Sequence, residues 1–256
     1  MTAPYLLDDR EVGRLQAWFD ELIRLFTLNF IAGDRWRFLT NGLMLTLRVT
    51  FFALIFGILI GVFVSIVRST HDKSIEKMRP GIGRVLLILF DRSCVVYLTV
   101  IRGTPIMVQL LIFYFVVLVK VQSAEVIGII AFSINAGAYI AEIFRSGIMS
   151  VDKGQFEAGR SLGLNFVQTM LYIIIPQAFK NTLPTLANEL IVLLKETSIL
   201  GIIGLQDLTR GGQLISGRTY SAFMPFFAVA LIYLSLVMIL TWLIRILERR
   251  LRASER

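Results

Sequence analysis

The stretch Glu157-Ala158-Gly159-Arg160-Ser161-Leu162-Gly163, followed after nine residues by Ile173-Ile174-Ile175-Pro176, decides the fold. Hydropathy alone counts the overlapping segment 161–179 as a membrane span, because it holds no charged residue. It also holds Gly163, Asn165, Gln168, Pro176 and Gln177. Local chemistry gives another reading. Asp152 is placed to cap a helix starting at Lys153, its carboxylate accepting orphan backbone N–H groups. Gly163 takes the left-handed conformation that ends such a helix. Asn165 with Gln168 three residues later resembles a capping box that opens a second helix. Pro176 stops or kinks that helix. The expectation is two short helices at an angle, outside the bilayer. Ala158 and Gly159 are small enough to let another protein's surface approach the backbone closely. Phe156 and Leu162 give an apolar anchor beside them.

Outward from this loop the chain is strongly apolar. Of 256 residues, 56% are hydrophobic and 17% charged, against about 45–50% and about 25% in soluble domains. Mean hydropathy is +0.74. Such a chain cannot cover itself with water-facing groups, which excludes a soluble enzyme, a disordered tail and a disulfide scaffold. The net charge of +8 comes from charges of which many flank apolar runs. That is the pattern of membrane loops, not of a nucleic-acid stripe. The single cysteine, Cys94, allows no internal disulfide and no Cys-ligated zinc. There is one histidine, His71, and no Gly-Lys dipeptide, so no P-loop. No cofactor is expected in this chain; if ATP is used, another chain binds it.

A span needs about 20 apolar residues, with a range of about 17–25. Uncharged runs occupy 49–67, 103–119, 126–141 and 219–244; a further apolar stretch, 181–206, is broken by Glu189, Lys195 and Glu196. Basic residues crowd the loop 68–84 (Arg68, Lys73, Lys77, Arg79, Arg84) and the tail (Arg245, Arg249, Arg250, Arg252, Arg256). Both belong on the cytoplasmic side. Five spans satisfy this pattern, at about 41–67, 104–120, 124–147, 179–201 and 221–246, with the N-terminus outside and the C-terminus cytoplasmic. Residues 85–102, with Asp91 and Arg92, are expected as a cytoplasmic-side helix leading into the second span. The chain does not open as a signal peptide, because Asp8-Asp9-Arg10-Glu11 stands where a basic region belongs. In residues 12–29, Val12, Leu15, Trp18, Phe19, Leu22, Leu25 and Phe26 recur at helical spacing. They make 12–29 an amphipathic helix within an N-terminal amphipathic or interfacial segment 1–40, either lying in the membrane interface or packed on the protein itself.

In order and spacing, Glu157 to Pro176 resembles the EAA loop of binding-protein-dependent ABC importer permeases: E-A-A, three residues, G, nine residues, I-x-L-P. Gly159 stands for the second alanine and Ile175 for the leucine. Arg102-Gly-Thr-Pro-Ile-Met-Val-Gln109 resembles the R-G-T-P-L-x-V-Q signature of that family's polar amino-acid branch, which serves histidine, glutamate, glutamine, arginine and opines. Asn135-Ala-Gly-Ala-Tyr-Ile-Ala-Glu-Ile-Phe-Arg145, Leu183-Pro-Thr-Leu-Ala-Asn-Glu189 and Leu194-Lys-Glu-Thr-Ser198 resemble further motifs of the same branch. The resemblance runs over about 40–246. It implies the type I ABC importer permease fold: an all-α integral membrane protein with five transmembrane helices in a domain 41–256. A cytoplasmic coupling loop at 150–178 would present Phe156, Glu157, Ala158, Gly159, Leu162 and Gly163 to an ATPase subunit. A sixth span at 161–179 would put two successive motif helices on opposite sides of the membrane, so it is set aside.

Charges inside spans cost roughly 2.5–3.5 kcal/mol each at mid-depth and are usually functional or paired. Glu142 and Arg145 stand three apart on one helix and are expected to pair. Glu189 falls near mid-span with no basic residue within four positions. It suits a substrate ammonium, a protonated state, or a pair with Lys195 or Arg48. Lys195-Glu196-Thr197-Ser198 is read as anchor or gate. Asn135 and Tyr139 share a helix face, either as a packing seam or as the wall of a polar passage. The candidate passage residues are therefore Asn135, Tyr139, Glu142, Glu189, Thr197 and Ser198.

The resulting reading is the membrane subunit of an importer for a polar amino acid, cycling by alternating access in the bacterial inner membrane. Its partners would be a second copy or a homologous permease, an ATPase dimer binding ATP and magnesium, and an extracytoplasmic binding protein. The competitors are a secondary transporter, a channel or sensory protein without an ATPase, and a membrane-embedded enzyme. The first lacks a visible inverted repeat, and the last lacks a catalytic constellation.

Overall fold

A computed structural model describes residues 9–75 and 78–253. Asp8, Lys77 and Arg256 lie outside them, as do the side chains of residues 9–12 and of Leu15, Lys73, Arg250 and Arg252. Every regular element among the described residues is helical. In chain order they are α1 (Asp9–Phe26), α2 (Trp36–Ser74), α3 (Ile82–Gly103), α4 (Ile106–Ile112), α5 (Ala124–Ser150), α6 (Lys153–Ser161), α7 (Phe166–Thr169), α8 (Ile175–Glu196), α9 (Leu208–Thr219) and α10 (Phe223–Ala253). Wider π-type turns occupy 113–117 and 170–174, and a tight 3-10 segment runs from 197 to 203.

Among the described residues, three helices are long and apolar enough to cross a bilayer: Trp36–Asp72, Ala124–Ser150 and Phe223–Arg249. They contain the first and third expected spans and overlap the fifth, which starts at Phe223 rather than 221. The second expected span is different. Ile106–Val117 is too short to cross alone, since twelve residues rise only about 18 Å against a core of about 30 Å. It joins α3 at a bend of 111°. The residue before the bend explains it: Thr104 is extended (φ −124°, ψ 147°) ahead of Pro105, the conformation toward which a following proline biases a residue. The fourth expected span, 179–201, falls on α8 and the 3-10 segment after it, and α8 is not among the described helices long and apolar enough to cross.

Helices α2 and α5 form the centre. Arg48 meets Glu125 at 2.6 Å, Gly57 faces Ala136, and Gly61 faces Ile140. These pairs advance together, so the two helices run parallel. Their approach depends on missing side chains. A Cβ on Gly61 would lie 2.5 Å from Ile140 Cγ2, and one on Gly137 2.8 Å from Ile60 Cγ2. The seam is packed by Val49, Ala53, Ala131, Phe132, Ala136 and Ile140, all buried. Against α5, α8 runs the other way: Gly147 lies on Ala178 and Thr182, and Gly128 lies on Leu200.

The two ends of the bundle differ. One end gathers the starts of α2, α5 and α10 with α9 and the 3-10 segment. There Gly42 touches the Asp207 backbone and Gly211 touches that of Phe38. Asp207 caps α9 through Thr209 N (2.9 Å), and burial holds its carboxyl above the usual carboxylate range. The other end gathers the end of α5, α6, α7, the start of α8 and the α2–α3 connection. Here Arg68 pairs with buried Asp91 at 2.8 Å, tying α3 to α2.

The seam makes a testable claim. Gly61→Leu forces side-chain volume between two backbones and should cost about 1–3 kcal/mol. Gly217→Ala, at a helical site with open space around it, should be neutral or stabilising by about 0.4–1 kcal/mol. Thermal melts of the detergent-solubilised protein would separate the two; equal melting temperatures would contradict the packing described.

Candidate functional site

The bend before α4 is fastened by side chains. A helix end leaves four carbonyls without partners. Gln109 Nε2 turns back to the carbonyls of Ile101 (2.7 Å) and Thr104 (3.0 Å) and to Thr104 Oγ1 (2.8 Å). Its Oε1 accepts from Asn135 Nδ2 at 3.0 Å. Both side chains are buried. Asn135 therefore clamps the bend to α5 and does not line an opening. Tyr97 adds a second tie, its hydroxyl donating to the Ile134 carbonyl at 2.6 Å.

Beside this bend lies a cleft of about 570 Å³. Helix α5 lines it with Tyr139, Glu142, Ser146 and Ser150, which recur at helical spacing. Helix α8 lines it with Asn181, Thr185 and Glu189, four residues apart. Arg102, the last basic residue of α3, reaches in from the bend. Its guanidinium lies 3.5 Å from Glu142 and 5.8 Å from the centre of the Tyr139 ring. Glu142 also meets Arg145 at 3.3 Å, the pair expected from spacing, so one carboxylate faces two cations. Asn181 donates to Ser150 Oγ at 3.0 Å across the cleft.

Glu189 stands on the other wall, half-buried, with no cationic partner among the described residues. Arg48, one partner weighed for it, is engaged by Glu125 instead. Of the expected passage residues the structure brings together Tyr139, Glu142 and Glu189. It keeps apart Asn135, Thr197 and Ser198. Thr197 is wholly buried, donating to the Leu194 carbonyl at 2.7 Å and lying 3.4 Å from Thr50. Ser198 follows it on the 3-10 segment, away from the cleft. Sequence reasoning missed Arg102, Ser146, Ser150, Asn181 and Thr185 as neighbours. The signal was the four-residue spacing of polar groups along α8 and the matching stripe on α5.

The loop 150–178 closes the far end. Asp152 Oδ1 accepts from Gly154 N at 2.7 Å, capping α6. Gly163 sits at φ +78° and ends the turn after it. Asn165 and Gln168 exchange both capping-box bonds at 2.9 Å. Pro176 neither stops nor breaks the chain's helical run. The wide turn 170–174 precedes it, and α8 carries it in its first turn, where its missing N–H costs little.

The faces of α6 also differ from the expected arrangement. Gly159 is buried, and a Cβ there would lie 2.6 Å from Thr169 Cγ2. Its smallness serves contact with the chain's own next helix. Phe156 packs inward with Ile148, Val151, Met170 and Ile174. Glu157, Ala158 and Leu162 face outward, Leu162 at 76% exposure.

The sequence profile of the family described as "Binding-protein-dependent transport system inner membrane component" matches residues 82–253. The chain belongs to that family. The matched part of this inner membrane component holds the bend, the cleft and the loop, and leaves α1 and α2 outside it. The chain is 36% identical over 221 residues to the arginine transport system permease protein ArtQ of Bacillus subtilis (strain 168), covering 85% of this chain and 94% of that protein. It is 34% identical over 218 residues to the glutamine transport system permease protein GlnP of Escherichia coli (strain K12), covering 84% and 93%. A crystal structure of an amino acid ABC transporter with histidines superposes with a TM-score of 0.74 at 39% identity, over 86% of this chain and 98% of that one.

The loop geometry predicts opposite behaviour at neighbouring positions. Gly159→Val should loosen α6 from Thr169 and Ile173, expose the loop to limited proteolysis and cost about 1–3 kcal/mol. Leu162→Ser, on the outward face, should leave both proteolysis and melting unchanged within about 0.5 kcal/mol.

Proposed function

We propose that this chain is the translocation subunit of an ABC importer carrying a polar amino acid, glutamine- or arginine-like, across the inner membrane. The names of its relatives support the substrate class. The observation that carries the reading is the outward face of α6, Glu157, Ala158 and Leu162, presented at the end of the bundle where both cleft-lining helices, α5 and α8, terminate or begin. An ATPase subunit docks there, holding ATP and magnesium; this chain performs no hydrolysis. A second copy or a homologous permease completes the passage, and a separate extracytoplasmic binding protein delivers the substrate. Nucleotide binding stabilises one orientation of the cleft over the other, which is how alternating access is driven.

The orientation follows from the same geometry. The loop 150–178 shares its end of the bundle with the end of α2, the α2–α3 connection and the start of α3, which hold Arg68, Arg79 and Arg84 respectively. Positive charge marks the cytoplasmic side. On this reading the end of the bundle that holds α9 faces outside, and the N-terminus is assigned to that side. Within the cleft, Glu189 is the group for a substrate ammonium: it is acidic, half-buried and unpaired, whereas Glu142 is already neutralised by Arg102 and Arg145.

Two measurements test this. The tagged chain is purified from its native membrane in mild detergent beside a Glu157→Ala, Leu162→Asp variant with matched melting temperature. A P-loop ATPase should accompany the parent and be lost from the variant. Recovery of no ATPase with either would overturn the reading and lead to ion-flux assays for a channel or secondary carrier. In liposomes, Glu189→Gln should raise the KM for amino-acid uptake by about 10-fold or more, as loss of a charged hydrogen bond worth about 1.5–3 kcal/mol requires. Basal ATP hydrolysis should be retained.

A further inference from the structure

Helix α1 carries an apolar face whose Trp18, Phe19, Ile23 and Phe26 side chains are left open by the described residues. At 100° per residue, Val12, Leu15, Trp18, Phe19, Leu22, Ile23, Leu25 and Phe26 fall within about 160° of arc. Arg14, Asp20, Glu21 and Arg24 fall on the remaining side. Trp18, Phe19, Ile23 and Phe26 are exposed at 58%, 55%, 63% and 52%. Among the described residues, nothing packs over these four side chains.

Its C-terminal end is fixed in place. Asn29, wholly buried, donates to the Leu25 carbonyl at 2.8 Å and lies 3.4 Å from Ser221 Oγ, while Thr219 Oγ1 donates to Asn29 Oδ1 at 2.8 Å. Phe30 enters a cluster with Leu39, Leu208, Ile215 and Val229. Arg35 binds the Leu28 carbonyl, and left-handed Gly33 and Asp34 turn the chain into α2. So α1 ends at the level where two membrane-crossing helices, α2 at Trp36 and α10 at Phe223, begin. Exposed Trp36, Tyr220, Phe223 and Phe227 sit at this same end, as aromatic side chains do where a bilayer meets water.

We infer that α1 is a membrane-surface anchor, lying at the boundary of headgroups and acyl chains with Trp18, Phe19, Ile23 and Phe26 turned into the lipid. The occupant is lipid because the bilayer begins at the level where the helix is pinned, and an apolar face there meets it without further structure. The attachment is apolar and not electrostatic. The helix holds three arginines against four acids, and Arg24 is engaged by Glu21 at 2.6 Å. Binding of interfacial helices scales with buried apolar area plus attraction of basic residues to anionic lipids, and a helix with one more acid than arginine lacks the second contribution. The assignment needs only that α2 and α10 cross the membrane; that the leaflet is the outer one rests on the orientation proposed above.

The test uses the full chain in phosphatidylcholine nanodiscs, with and without phosphatidylglycerol. The chain has three tryptophans, so W36F/W242F leaves Trp18 alone and W18F/W36F leaves Trp242 in α10 as a lipid-facing reference. Acyl-brominated phosphatidylcholine should quench Trp18 at least about half as strongly as Trp242, and iodide should quench it weakly. Phosphatidylglycerol should change neither. Ala17→Trp, placed on the polar side in a chain without other tryptophans, should show the reverse. Ile23→Trp in that background repeats the measurement from a second site. Quenching of Trp18 by iodide alone would place α1 in water and overturn the proposal. Quenching by neither agent would mean a protein surface covers it, a second copy or a partner, and would overturn it equally. Quenching by brominated lipid only when phosphatidylglycerol is present would overturn the charge-independent mode.

Discussion

The seam between α2 and α5 is the constraint on which the rest depends. Inside a bilayer the lipid is as apolar as leucine, so helices gain little from hiding apolar surface and must gain from close contact instead. Gly57, Gly61 and Gly137 supply that contact by having no side chain where Ala136, Ile140 and Ile60 press in. The consequence is visible in how the helices are covered. The most apolar window of α5 is 61% buried, whereas that of α10 is 6% buried. Helix α5 is the post. Its inner face clamps the bend through Asn135, its polar stripe forms one cleft wall, and its end runs straight into the loop.

That continuity gives the proposed coupling a mechanical form. Phe156 packs α6 against Ile148 and Val151 at the end of α5 and against Met170 and Ile174 at the approach to α8. Gly159 lets α6 sit flush on Thr169. A displacement applied to the outward side of α6 therefore reaches both walls of the cleft, because the same small cluster grips both. Two discrete packings of such a cluster, rather than gradual deformation, are what closely packed interiors permit.

Much of this was legible before the structure. The caps at Asp152, Asn165 and Gln168 and the turn at Gly163 follow from local backbone chemistry, which depends on neighbours in sequence. The three long apolar helices follow from length. What the sequence concealed depends on contacts between distant segments. Nothing near Gly159 says which way it faces, and a small residue suits an internal contact as well as a docking surface. Asn135 looked equally suited to a passage or a seam until Gln109, on another helix, was found beside it. The run 104–120 gave no sign of the 111° bend that joins it to α3, because composition does not register a proline-directed turn. Arg102 was visible only as part of a motif, since its partner Glu142 lies forty residues away.

Arg102 also joins the two halves of the site. An unpaired carboxylate inside a membrane protein is costly, and most are neutralised by neighbours. Glu142 is so neutralised, but one of its two cations stands at the end of α3, where its position is set by the bend at Pro105 and by Gln109 and Asn135. If the bend opens, Arg102 moves away from Glu142 and from the face of Tyr139, and Glu142 is left with Arg145 alone beside the unpaired Glu189. The cleft's charge is thus tied to the geometry of the helices around it. A transporter that alternates between two shapes needs such a link, because the affinity of its site must differ between them for the cycle to release what it has bound.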